Sequence, residues 1–152
     1  MGYSISIGEL KISKEDGYTF RTAETVRLDN APAYGEPTDY TNKRWPSYSS
    51  WGNAMDFLDL NNLMFNDRTG LMRKHPATYR LTKKHKAAID KAYVKFYQKY
   101  PNAKAGFSPK ATMFQLDKDW PEENNWAVRL EWLKFWVDWA LENCKNPVFS
   151  NC

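Results

Sequence analysis

The stretch Lys43-Arg44-Trp45-Pro46-Ser47-Tyr48-Ser49-Ser50-Trp51 gathers two cations, three rings and three serine hydroxyls where a helix is expected to begin. These are the groups a nucleotide pocket uses. A helix N-terminus offers free backbone N–H groups and positive potential to an anion. Arginine can hold a phosphate through two parallel hydrogen bonds. Indole and phenol faces stack on bases, worth roughly 1–3 kcal/mol per base in single-strand binders. A second basic and aromatic segment follows: Arg68, then Arg73-Lys74-His75-Pro76, Tyr79, Arg80, Lys83 and Lys84. The candidate ligand-binding set is therefore Arg44, Trp45, Ser47, Tyr48, Trp51, Arg73, His75 and Tyr79. Trp45 and Tyr48 are assigned to base stacking and Arg44 and Arg73 to phosphate. Ser47 is assigned to a ribose or phosphate oxygen and His75 to hydrogen bonding. The competing reading puts Trp45, Tyr48 and Trp51 in the core and leaves the cations in water.

Catalytic patterns are absent. The chain has no G-x-S-x-G, P-loop, G-x-G-x-x-G, H-E-x-x-H or C-x-x-C. His75 and His85 are the only histidines, and each is followed two residues later by alanine, not by the Ser or Thr of a two-histidine phosphoesterase. No further ligands sit at zinc spacing. Glu131, Asp138 and Glu142 offer carboxylates on one helix, which reads first as a solvated face. The expectation is a non-enzyme without metal or cofactor. A hydrolase using Glu131, Asp138 or His75 is the catalytic alternative.

The elements that must position these residues follow from periodicity. Tyr3, Ile5 and Ile7 alternate with Ser4 and Ser6, and Gly8 is a possible bulge before Leu10 and Ile12. Glu15-Asp16-Gly17 reads as a hairpin turn into Tyr18–Thr22. Thr25–Leu28 is a weaker third strand. A long Pro- and Asn-rich connection spans residues 29–46. Ser47 or Ser49 caps a helix running to about Phe65. Thr82 caps a helix over 83–100, with Ile89, Tyr93, Phe96, Tyr97 and Tyr100 on its apolar stripe and lysines opposite. A short extended piece is possible at Ala111–Leu116. The last helix, about 124–144, carries four of the seven tryptophans and is apolar on two sides, so it needs protein or ligand on both. The fold class is α+β: a small N-terminal antiparallel sheet (3–28) packed on three main helices (47–145), one domain over 1–152, with the aromatic C-terminal helix central.

A net charge of +4 suits a compact anionic ligand better than a duplex, which usually meets a denser basic stripe. Cys144 and Cys152 read as two reduced thiols. No leader-like apolar run follows Met1, and Arg129, Glu131, Lys134 and Asp138 interrupt the aromatic helix, so no membrane span is expected.

Three strings taken together resemble small accessory proteins of tailed bacteriophages and prophages: Pro46–Trp51, Gly70–Pro76 and Arg129–Cys144. The likeness extends along residues 1–152 in order and spacing. That group has no assigned activity, so no functional residue is carried over. The resemblance implies a setting, a phage protein working in the host cytoplasm. In that setting, the residues above suggest sequestration of a nucleotide-derived immune signal, of the cyclic oligonucleotide or cyclic ADP-ribose type, by a homo-oligomer. Competition with a host receptor calls for near-nanomolar affinity, about −12 kcal/mol. The alternatives are an adaptor that captures a host defence protein through Trp132, Phe135, Trp136 and Trp139, and nucleic-acid binding through Lys83, Lys84, Lys86, Lys91, Lys95 and Lys99.

Overall fold

The computed structural model describes residues 4–33, 40–45, 48–110 and 117–152, without the side chains of Tyr48 and Ser49. Alternation and the turn signal produce a long hairpin, β1 (Ile5–Glu15) and β2 (Tyr18–Ala23). Asp16 and Gly17 both take positive φ, 50° and 80°, as a two-residue hairpin turn requires. The third strand expected at 25–28 is reduced to one bridge, Arg27 to Thr41. Its place beside β1 is taken by β3 (Lys43–Arg44).

Two further strands were not expected. β4 (Ala77–Arg80) and β5 (Pro147–Asn151) complete an antiparallel sheet of order β2-β1-β5-β4, with β3 beside β1. The sheet is thus built from both ends of the chain, not from residues 3–28 alone. Arg44, Ile5, Asn151 and Ala77 stand in one row across it, and Lys43, Ser6, Ser150 and Thr78 in the next. Partners across a sheet share a face, so the two rows point to opposite sides. The odd-numbered face of β1, Ile5 and Ile7, joins Phe149 in the hydrophobic core.

That core is organised by α4 (Glu122–Asn143). Ala127, Val128, Leu130, Trp132, Leu133, Trp136, Val137 and Ala140 are all buried, so the helix is enclosed on both of its apolar sides. Glu122 and Glu123 lie in its first turn, where the helix dipole favours negative charge. Burying a side chain of this kind contributes about 1.5–3 kcal/mol. The helix expected from 47 to 65 is divided into α1 (Tyr48–Phe57) and α2 (Asn61–Phe65). Asp59 takes φ 58° at the break, which ends the first helix and lets Leu58, Leu60 and Met64 all turn inward. The peptide before Pro76 is cis. The possible strand at 111–116 lies outside the described residues.

α3 (Lys83–Lys99) starts at a capping box in which the Thr82 N–H donates to His85 Nδ1 at 2.9 Å. It is bound to α4 by more than apolar contact. Glu131 Oε1 accepts from Tyr93 and Tyr97 at 2.8 and 2.6 Å. Lys86, Asp90, Lys134 and Asp138 close a ring of four ion pairs of 2.8–3.0 Å. Of the carboxylates read as a solvated face, Glu131 and Asp138 therefore belong to the polar seam between two helices, while Glu142 is exposed.

Candidate functional site in the half-barrel

β1 does not run straight. It pairs with β5 over Ile5–Glu9 and with β2 from Leu10 onward, and the hairpin folds back over the sheet to make a half-barrel. The Thr78 hydroxyl donates to the Arg21 carbonyl at 2.5 Å, closing the fold from β4 to β2. Gly8 sits at the bend. A Cβ there would lie 2.9 Å from Asn42 Nδ2 and 3.1 Å from the Glu24 carbonyl. Asn42, fully buried, donates to the carbonyls of Ile7 and Glu24 at 2.7 Å each and accepts from the Val26 N–H at 2.9 Å. Glu9 holds the other side of the bend, accepting from the N–H groups of Lys145 and Asn146 at 2.9 and 2.7 Å.

This folding-over buries small polar residues. The even-numbered face of β1 and the matching face of β5 carry Ser4, Ser6, Ser150 and Cys152, which open onto a cavity of about 190 Å³. Thr22, Ala23 and Thr25 line its other wall, and Lys11 and Lys43 are also among its lining residues. No carboxylate side chain is among the described lining residues, and neither lysine has an acidic partner there. Ser6 and Ser150 are 4% and 1% exposed. The Ser150 hydroxyl lies 3.1 Å from the Thr78 hydroxyl and 3.2 Å from Cys152 Sγ; the Ser4 hydroxyl donates to the Cys152 carbonyl at 3.2 Å. Two lysines and several hydroxyl residues, with no carboxylate side chain among the described lining, are the donor set an anion would need.

The site expected from sequence is divided by the structure. Trp51 is 1% exposed and meets Trp132 edge to face at 6.3 Å, so its ring is core and offers no free face to a ligand. Arg44 is buried on the core side of β3, its guanidinium 5.9 Å from the rings of both Trp132 and Phe107. Trp45 is 59% exposed. Ser47 and the Tyr48 side chain lie outside the described residues. Arg73 and Tyr79 do come together: the guanidinium stands 3.6 Å over the ring and donates to the Gly70 carbonyl at 3.0 Å. His75 is exposed on the turn leading into β4. From β3 to β4 is three inter-strand steps, about 14 Å. Arg44 and the Arg73–Tyr79 pair are therefore held apart on one face of the sheet, with β1 and β5 between their strands.

Sequence reasoning named the lysine beside the site but not its partners. Lys43 was part of the basic cluster; Lys11, Thr22 and Ser150 were not singled out. The available signal was the polar parity of the two strands, Ser4 and Ser6 in one and Ser150 and Cys152 in the other. The remaining chemistry is structural. Cys144 is a free thiol whose pKa is pushed up to about 11 by burial, with Glu9 and Glu24 adding to the shift. His85 is held below the usual histidine range by burial and serves the α3 cap. Among the described residues no group of His, Cys, Asp or Glu could hold a metal ion, and no helix is long and apolar enough to cross a membrane. Compared with models of protein families, with curated proteins and with solved structures, the chain matches none.

Proposed function

We propose that this protein is a non-enzymatic binder of a small nucleotide-derived ligand, which it sequesters by taking a phosphate group into the half-barrel crypt. The observation that carries the reading is the crypt itself: Lys11 and Lys43 line it together with small hydroxyl residues, and no carboxylate is among the described lining. Trp45, two residues beyond Lys43, is exposed and keeps its assignment as a stacking ring. The likeness of the chain to phage accessory proteins supplies the setting, in which the ligand is a host defence signal and capture without turnover suffices. A ligand larger than the crypt projects from it, and a second copy of the chain is the natural cover.

Two alternatives have less surface to act through. Trp132 and Trp136 are buried, so the aromatic face proposed for capturing a host protein is largely core. Lys86 is committed to Asp90 and Asp138, and Lys95 pairs with Asp59, which thins the lysine face of α3. Calorimetry against inorganic phosphate, nucleoside monophosphates and cyclic nucleotides tests the proposal. Lys11→Ala and Lys43→Ala should each weaken binding by about tenfold or more, the scale of a hydrogen bond to a charged group. Unchanged affinity in the double variant would remove the crypt from the argument.

A further inference from the structure

The face of β2 that reaches the crypt does not stop there. Alternate residues of a strand share a face, so Thr22, Phe20 and Tyr18 lie in one row. Thr22, opposite Lys11, lines the crypt. Phe20, opposite Ser13, is 48% exposed, and Tyr18, opposite Glu15, is 69% exposed. Two aromatic rings standing in water on a two-stranded ribbon contribute little to the core. One step along this row is two residues, about 7 Å, which matches the span from a nucleotide's phosphate to its base.

Size separates ligand types. A cavity of about 190 Å³ is smaller than the pockets of about 300–1,000 Å³ that enclose a drug-sized ligand, so a whole nucleotide is not buried in it. A bridging phosphodiester in a cyclic oligonucleotide carries a ribose on each side, and both must be accommodated at the mouth. A terminal phosphomonoester can enter alone and leave the rest of the molecule outside. Beyond Phe20, the carboxylate of Glu15 shares the face with Tyr18, which favours a neutral ring over a second phosphate there.

We propose that this face of β2, beyond the crypt, is a base-stacking subsite, with Phe20 taking the heterocycle next to a terminal phosphate and Tyr18 the one after it. The ligand class is then a linear, terminally phosphorylated mono- or dinucleotide. This deepens the crypt reading and rests on it. Phe20 is exposed, so Phe20→Ala should fold, and a thermal melt checks that. Calorimetry would compare inorganic phosphate, a linear 5′-phosphorylated dinucleotide and a cyclic dinucleotide. The linear probe should bind at least about tenfold tighter than phosphate, and Phe20→Ala should remove about tenfold of that affinity. Phosphate binding should be unchanged in Phe20→Ala, and Phe20→Trp should restore the linear probe. The subsite is overturned if the linear probe gains nothing over phosphate, if Phe20→Ala leaves it unaffected while Trp45→Ala abolishes it, or if the cyclic probe binds as tightly. Loss of all binding, phosphate included, overturns the crypt reading and the subsite with it.

Discussion

Three backbone segments meet at the carboxamide of Asn42: it donates to Ile7 and Glu24 and accepts from Val26. Alanine at this position removes the partner of the buried Ile7 carbonyl and of the part-buried Glu24 carbonyl and Val26 N–H. Each such loss costs about 1–3 kcal/mol, less where water can enter. Asn42→Ala should therefore lower stability by about 3 kcal/mol in urea titration, and it should open the crypt, since the bend of β1 depends on the same bonds. A second residue-scale case is Gly70. A Cβ there would come within 2.5 Å of the Met64 carbonyl and 2.6 Å of the Asn66 nitrogen, both backbone atoms that cannot rotate away. Gly70→Ala should cost about 2 kcal/mol or more through overpacking, read as a lower urea midpoint. Neither role shows in the sequence. Asn42 sits in the long Pro- and Asn-rich connection over 29–46 with nothing to mark its carboxamide as a bridge, and Gly70 has no side chain to read.

The N-terminus of α3 carries a pH dependence of known sign. His85 Nδ1 can accept the Thr82 N–H only while the imidazole is neutral. Burial lowers the folded pKa below the ordinary value of 6.5. The unfolded chain therefore binds the proton more readily, and this contribution, full above 6.5, is lost as pH falls below it. Thermal melts from about pH 7.5 to about pH 5.5 should show a declining midpoint. His85→Gln keeps an acceptor at the third helical position and should flatten that part of the decline; an identical slope in the variant would show that another group is responsible. The α3–α4 seam makes a different prediction. Asp90 is pushed up by burial, but hydrogen bonds from Lys86 and Lys134 outweigh this and hold its pKa below the usual carboxylate value. Its contribution is present above that range and disappears as acid protonates it. Asp90→Asn should thus reduce stability near neutrality and lessen the loss on acidification, measured by urea midpoints. The helix and its cap residue were legible in sequence because a long apolar stripe followed Thr82. The seam was not, because pairing between Glu131 and the tyrosines of α3 depends on how two helices cross.

At the scale of the molecule, α4 is the part on which the rest is assembled. Trp136 is fully buried, and truncating it removes the largest kind of core side chain. Trp136→Ala should cost about 3–5 kcal/mol, seen as a collapse of the urea midpoint, whereas Trp45→Ala at an exposed site should leave the midpoint nearly unchanged and act on ligand affinity alone. The contrast separates the two tryptophan roles that sequence left open. Sequestration is also a whole-molecule property: ligand-dependent stabilisation should grow with the logarithm of free ligand above its dissociation constant.

Local chemistry was readable along the chain. Ile5 and Ile7 alternating with Ser4 and Ser6, the Asp16-Gly17 turn, the Thr82 cap and the two-sided apolar helix each depend on residues within a few positions of one another. What the tertiary structure decided was pairing at a distance. β5 is buried on both faces and so shows no alternation. β4 is four residues long and follows a turn. Both exist because β1 offers an edge more than 130 residues away from β5. The same long-range pairing turned Trp51 inward, separated Arg44 from Arg73, and brought Lys11 and Lys43 to one hollow. The polarity of single residues settles which face of a strand can be wet; only the folding of one strand over another settles which wet face becomes a cavity.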